Sequence, residues 1–274
     1  MSAGVEMQRL QEAAYGADRD YREGSPHLQH WSLYDRLSDL LRESLSEVVA
    51  RGLPPTVLEI GAGHGGFTEV ALAAGGRVTA TDLSRPSVER LARRYRDNEA
   101  LVARFDPTGD LAVLGDERFS LVVCASVLHH IPDYVSFLDG PVLDHLAPGG
   151  SFLSVQDPLW YPTVGAINRR VDRWSFLAWR LFRGRYRQGL ATMVRRLRGV
   201  YDEENPADMV EYHVVRQGVD QDVVARRLAA RFASVEVGSY WSTPAGSLQG
   251  LGERLGLANT FYVRARAVSG ALAP

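Results

Sequence analysis

From residue 56 onward, apolar positions fall into short continuous runs separated by stretches of three- and four-residue spacing. "TVLEIGA", "RVTATDLS", "ALVARFD", "FSLVVCASVLHH" and "SFLSVQDP" have the length of buried strands. Between them "GGFTEVALAAG", "RPSVERLARRYRD" and "YVSFLDGPVLDHL" carry helical spacing, and "APGG" reads as the turn before the fifth strand. Five strands alternating with helices predict a parallel, doubly wound sheet. Ahead of them, "LYDRLSDLLRESLSEVVARG" reads as an amphipathic helix closed by Gly52 and stopped by Pro54-Pro55, so residues 1–52 form an N-terminal helical cap. After Asp157 the rhythm lapses, then resumes with a helix, "GVDQDVVARRLAARF", and two strands, "ASVEVGSYW" and "NTFYVRARA", close enough to pair antiparallel. The expected fold is α/β, a doubly wound and mostly parallel seven-stranded sheet with an antiparallel last strand. It forms a single domain over 1–274, with residues 158–218 inserted as a helical lid. Gly140-Pro141 interrupts the sixth helix pattern and reads as a kink.

Composition narrows the chemistry. The chain has 274 residues, is 45% hydrophobic, and carries a formal charge of -2, which argues against a general nucleic-acid binder. All 31 basic residues are Arg, which excludes a Schiff-base lysine, a P-loop lysine and a catalytic Tyr-Lys pair. The single cysteine, Cys124, lies inside an apolar run and reads as a small core residue. A disulfide framework is excluded, and the opening stretch shows no basic-then-apolar leader, so a cytoplasmic protein is expected. No apolar stretch reaches membrane-spanning length.

The most informative stretch is "VLEIGAGHGGFT", residues 57–68. A strand ending in Gly61, Gly63, Gly65 and Gly66 puts bare backbone and a helix N-terminus at the carboxyl edge of the sheet, where doubly wound folds bind nucleotides. Gly61, Gly63 and Gly66 also satisfy the G-x-G-x-x-G dinucleotide fingerprint, which is weak alone. Glu59 precedes the first glycine by two. Asp82 ends the second strand, where a carboxylate can take both ribose hydroxyls or cap the helix near Ser84. Asp106 ends the third strand, where it can accept from an adenine amino group beside Phe105, or form a turn before Pro107.

With these residues in view, the sequence resembles the class I S-adenosylmethionine-dependent methyltransferases over roughly residues 55–157 and 218–267. "VLEIGAGHGGFT", "TATDLS", "RFD", "FSLVVCASVLHHIPD" and "LAPGGSFLSV" occur in that family's order. The resemblance implies S-adenosylmethionine as cofactor, with Glu59, Gly61, Gly63 and Gly65 toward its methionine part and Asp82 on the ribose. Leu83, Phe105 and Asp106 would hold the adenine, and Ala125 and Ser126 would lie near the methionine. A sulfonium cofactor has no pyrophosphate and needs no cation at this loop; no metal is expected.

Acceptor chemistry is expected in three places. The cap carries Tyr15, Tyr21, His27, His30, Trp31 and Tyr34, of which Tyr21 or His30 could reach the cofactor carboxylate. His129 and His130 follow the fourth strand, and His129 is the expected base or orienting group. Asp157 ends the fifth strand, with Trp160 and Tyr161 opening the insert. That insert holds ten arginines and one acid between Arg169 and Arg198, interleaved with Trp174, Leu177, Trp179 and Phe182. It reads as a lid whose aromatic side covers an apolar substrate, or else as a basic amphipathic surface for membrane or RNA. Tyr212 and His213 end the insert as substrate contact and second base, and Trp241 is expected at the same mouth. The expected function is methyl transfer to a small aromatic or heterocyclic acceptor, through O, N or C, in secondary metabolism. Partners would be that small molecule and at most a second copy in a homodimer, without nucleic acid or stable membrane insertion. The alternatives are a dinucleotide-dependent oxidoreductase and a non-catalytic protein of the same fold.

Overall fold

The computed structural model describes residues 25–182 and 218–267. Helices α1 (Pro26–Gln29) and α2 (Trp31–Ala50) precede β1 (Thr56–Ile60), α3 (Gly66–Ala73), β2 (Arg77–Asp82), α4 (Arg85–Arg94), β3 (Leu101–Phe105) and β4 (Phe119–Ala125). Then come α5 (Tyr134–Phe137), β5 (Leu146–Pro158), α6 (Ala166–Phe182), α7 (Gln221–Ala229), β6 (Ser234–Tyr240), α8 (Gly246–Arg254) and β7 (Thr260–Arg266). The seven strands form one sheet in the order β3-β2-β1-β4-β5-β7-β6. β1 to β5 pair in parallel, and β7 is antiparallel to both β5 and β6. The expected sheet is therefore present, with one refinement: the last strand in sequence lies inside the sheet, and β6 forms the edge.

Alternation of side chains sends each central strand into two cores. Leu58, Ile60, Val122, Cys124 and Phe152 face one side, with Phe137, Leu138, Val142, Val224 and Leu228. Val57, Leu121, Val123, Leu153 and Val155 face the other, where α2 contributes Leu33, Leu37, Leu41, Leu45 and Val48. Cys124 is fully buried, as its run suggests. The far end of α2 is fastened by charge: buried Arg264 meets Glu43 at 2.9 Å and Glu47 at 3.5 Å, and Arg266 meets Glu47 and Glu236, each at 3.1 Å.

Three local features depart from the pattern. "APGG" belongs to β5, as an irregularity opposite Phe119 and Leu121, with Gly149 at φ 77°. The kink at Gly140-Pro141 is a π-helical turn over Leu138–Val142, the wider coil that accommodates a residue with no N–H. Helix α8 has no counterpart among the expected elements, because Gly246, Gly250 and Gly252 lower helix propensity. It forms because it covers Trp241, whose indole N–H donates to the Leu248 carbonyl at 3.2 Å.

The glycines of α8 give a matched pair. Around Gly250 a new Cβ would have open space, whereas at Gly252 it would strike the Trp241 ring. Gly250→Ala should raise stability by up to about 1 kcal/mol, the propensity difference. Gly252→Ala should lower it by roughly 1–3 kcal/mol through overpacking. Chemical denaturation of both variants tests the docking of α8.

Candidate active site

The loop after β1 is built around its glycines. Gly61, Gly63 and Gly65 have φ of 68°, 54° and 81°, a region that disfavours any side chain. The Gly61 and Ala62 amides donate to the Thr81 carbonyl at 2.9 and 3.0 Å, tying the loop to β2. A Cβ on Gly61 would lie 2.7 Å from the Val127 side chain, and one on Gly65 would strike Leu91. The loop is thus pressed between β4's exit and α4. On its crest, the Arg90 guanidinium meets His64 Nε2 at 2.5 Å.

Two carboxylates support this loop. Glu59 is buried behind it and accepts from the Thr68 hydroxyl at 2.5 Å. Asp82 accepts from the Gly63 amide and the Ser84 amide, each at 2.7 Å, one on each oxygen. Each Asp82 oxygen keeps a further lone pair. Helix α4 is capped by Ser84, whose hydroxyl accepts from the Ser87 amide, so Asp82 is not the cap. Burial pushes the Asp82 carboxyl up, opposed by those two amides. Burial also raises Glu59 from 4.5 to about 7, opposed by the Thr68 hydrogen bond and reinforced by the nearby Asp82 charge.

At the end of β3 the Arg85 guanidinium lies 4.1 Å over the Phe105 ring, and Leu83 packs 3.4 Å from where a Gly109 Cβ would be. Asp106 is buried and serves as a turn former: it accepts from the Thr108 hydroxyl and Gly109 amide on one oxygen and from the Leu111 amide on the other. Of the two readings open for Asp106, the turn therefore takes most of its acceptor capacity.

Beyond β4, Ala125 and Ser126 turn the chain, Ser126 with φ 58° and its hydroxyl on the Gln156 carbonyl at 3.3 Å. The next turn, Leu128–His130, brings His129 against Asp157. His129 Nδ1 lies 2.8 Å from Asp157 Oδ1, and the His129 amide donates to the same oxygen at 3.1 Å. The Ser154 hydroxyl donates to Asp157 Oδ2 at 2.8 Å. Asp157 is fully buried. A carboxylate oxygen accepts here, so Nδ1 carries a ring proton.

The N-terminal cap reaches the glycine loop through residues the sequence did not single out for it. The Tyr34 hydroxyl donates to the Gly66 carbonyl at 2.9 Å, and Leu28 packs where a Gly66 Cβ would be. His30 is corrected: its Nε2 is 2.7 Å from the Thr243 carbonyl, tying the cap to the loop before α8, because a fixed backbone acceptor lies within its reach. Tyr21 lies outside the described residues, as do Tyr212 and His213. Trp241 is also corrected, since its ring is buried under α8 and does not reach a mouth. Trp160 and Tyr161 are partly exposed where the insert begins, the Trp160 amide 3.3 Å from Gln221 Oε1. The described part of α6 docks through polar groups, Asn168 on the Ala258 carbonyl and Asp172 on Asn259, while Trp174 stays 71% exposed. Ser154, Gln156, Tyr240 and Arg85 also escaped the sequence reading.

The Glu59 carboxyl gives a stability signature. Its folded pKa lies above its unfolded one, so its favourable contribution is complete below about pH 4.5 and lost as pH rises through 7. Glu59→Gln should gain stability over the parent across that interval, by roughly 3 kcal/mol at most above pH 7, and little below pH 4.5. Thermal melts from pH 4.5 to 8.5 check the divergence.

Residues 58–152, from β1 into β5, match the family model described as a methyltransferase domain. A probable non-canonical nonribosomal peptide synthetase, CymA, of Salinispora arenicola (strain CNS-205) is 37% identical over 48% of this chain and 2% of its own length. The cypemycin N-terminal methyltransferase of a Streptomyces species is 33% identical over 42% of this chain and 48% of its own. The chain thus spans less than half the length of these curated relatives. Among solved structures, the N-methyltransferase NodS from Bradyrhizobium japonicum WM9, in complex with S-adenosyl-L-homocysteine, superimposes with a TM-score of 0.54 at 19% identity, covering 96% of this chain and 98% of that one. At that identity the likeness speaks for the fold. Residues 58–152 thus resemble the methyltransferase domain family, and the sheet around them has the class I S-adenosylmethionine-dependent methyltransferase fold.

Proposed function

We propose that the chain transfers a methyl group from S-adenosylmethionine to a small aromatic or heterocyclic acceptor, with His129 as general base. The observation that carries this reading is the contact of His129 with buried Asp157, placed at the same sheet edge as the glycine loop. The residues present fit the cofactor: three loop glycines at positive φ leave backbone open to close approach, and the Asp82 carboxylate keeps a lone pair on each oxygen for a pair of ribose hydroxyls. Bound there, S-adenosylmethionine supplies a methyl group on a sulfonium leaving group. The protein's work is then alignment, exclusion of water and removal of one proton. His129 takes the acceptor's proton at Nε2, and Asp157 holds the ring in that tautomer and stabilises the imidazolium. Leu83 and Phe105 border the adenine, Ala125 and Ser126 the methionine end, and Trp160 and Tyr161 the path of the acceptor. Because the similar cypemycin enzyme is named an N-terminal methyltransferase, amines are the first acceptors to assay.

Two variants separate cofactor binding from chemistry. Calorimetric titration with S-adenosylhomocysteine, with NAD as control, should show binding of the first alone. Asp82→Ala should weaken it at least about tenfold, or about 1.4 kcal/mol; unchanged affinity would remove the ribose assignment. His129→Gln should keep that affinity and lower kcat by roughly 10²–10⁴. A wild-type kcat in that variant would rule out the base.

A further inference from the structure

Strand alternation does not put Asp157 where it is found. Along β5, Leu153 and Val155 enter the core beneath α2, while Phe152 faces the opposite core. By alternation Asp157, an odd position, belongs with Val155 on the α2 side. The pairing with β7 shows otherwise. Val155 pairs with Tyr262, but the next partner pair is Asp157 with Phe261, so Gln156 is an extra residue in β5. Phe261 faces the core opposite α2. One inserted residue thus reverses the face of everything after it. The reversal delivers Asp157 to the side of Ser154 and His129, with which it hydrogen-bonds.

The bulge is held from three directions. Gln156 takes φ 67°, an unfavourable conformation for a residue with a side chain, which persists only when its surroundings impose it. Its amide donates to the Tyr240 hydroxyl at 2.8 Å, and that hydroxyl donates to Gln156 Oε1 at 3.1 Å. Its side-chain amide donates to the Ser242 hydroxyl at 2.6 Å, and its carbonyl accepts from Ser126 at 3.3 Å. Tyr240 comes from β6, across the intervening β7, and is buried. A phenol is suited to this place because one oxygen both accepts from the bulged amide and donates to the same residue's side chain. Phenylalanine would fill the same space and leave that amide without its acceptor.

We propose that Gln156 and Tyr240 are positioning residues for the His129–Asp157 pair: the Tyr240 hydroxyl fixes the Gln156 bulge, and the bulge turns Asp157 onto the face that His129 occupies. This rests on the reading of His129 as base. Both residues act through Asp157.

The test reads the His129 ring directly. With ¹⁵N-labelled histidine, and His129→Gln to assign the signal, the wild-type protein should show His129 in the Nδ1–H tautomer, because Asp157 accepts that proton. Tyr240→Phe conserves volume and removes only the hydroxyl. Gln156→Gly tolerates the bulged φ and removes only the side-chain clasp. Both should shift His129 toward the Nε2–H tautomer, as Asp157→Asn does. Both should also lower kcat about tenfold, part of the roughly 10²–10⁴ a placed base supplies, with acceptor KM and S-adenosylhomocysteine affinity unchanged. A wild-type tautomer in Tyr240→Phe, alongside an altered one in Asp157→Asn, overturns the proposal. So does a fall in melting temperature and cofactor affinity without a tautomer change, which is the mark of a structural role alone. If the tautomer shifts as expected while His129→Gln retains wild-type kcat, the positioning stands and the base assignment fails.

Discussion

Parallel pairing of β1 to β5 is the constraint on which the site depends. Strands that run the same way must all end at the same edge, and their connections must return by helices across the faces. Gly61, Asp82, Phe105, Ala125 and Asp157 each lie at or within one residue of a strand end or its last turn. Residues from five separate stretches of sequence are thereby gathered along one edge. The side chains then differ in task according to which face of the sheet they leave by.

Burial sets the chemistry along that edge. Glu59 and Asp82 are both withdrawn from water behind the glycine loop, and each is held by hydrogen bonds from nearby groups. A carboxylate in such a place is a stiff acceptor, aligned before any ligand arrives. Asp157 is buried more deeply and receives three donors, two of them from His129. The loop side of the edge is therefore organised by amides donating to acids, and the far side by an imidazole donating to one.

Local spacing made the glycine loop and Asp82 legible, since a tight turn and a strand-end acid are properties of a few consecutive residues. The seven strands were legible for the same reason. The His129–Asp157 contact was expected only as two candidates at one edge. Nothing in "SVQDP" announces that Gln156 is an inserted residue, because the bulge is defined by its pairing with Phe261 and Tyr262 more than a hundred positions later. Asp106 could be read as a turn former or an adenine partner, and the amides of Gly109 and Leu111 show its turn role, which local spacing alone left open. Helix α8 was hidden by its glycines, and Trp241 was misplaced because the helix that buries it was not anticipated. His30 failed for a related reason: its acceptor, Thr243, is remote in sequence.

The position of β7 has a consequence for how the protein comes into being. β7, made after both β5 and β6, is slotted between them. Until Thr260–Arg266 leaves the ribosome, β5 presents an open edge and β6 has no sheet to join. The nascent chain can assemble its glycine loop while it still lacks the strand against which Gln156 is out of step. The placement of Asp157 against His129 is therefore completed by β7, as a lock is completed by a late pin.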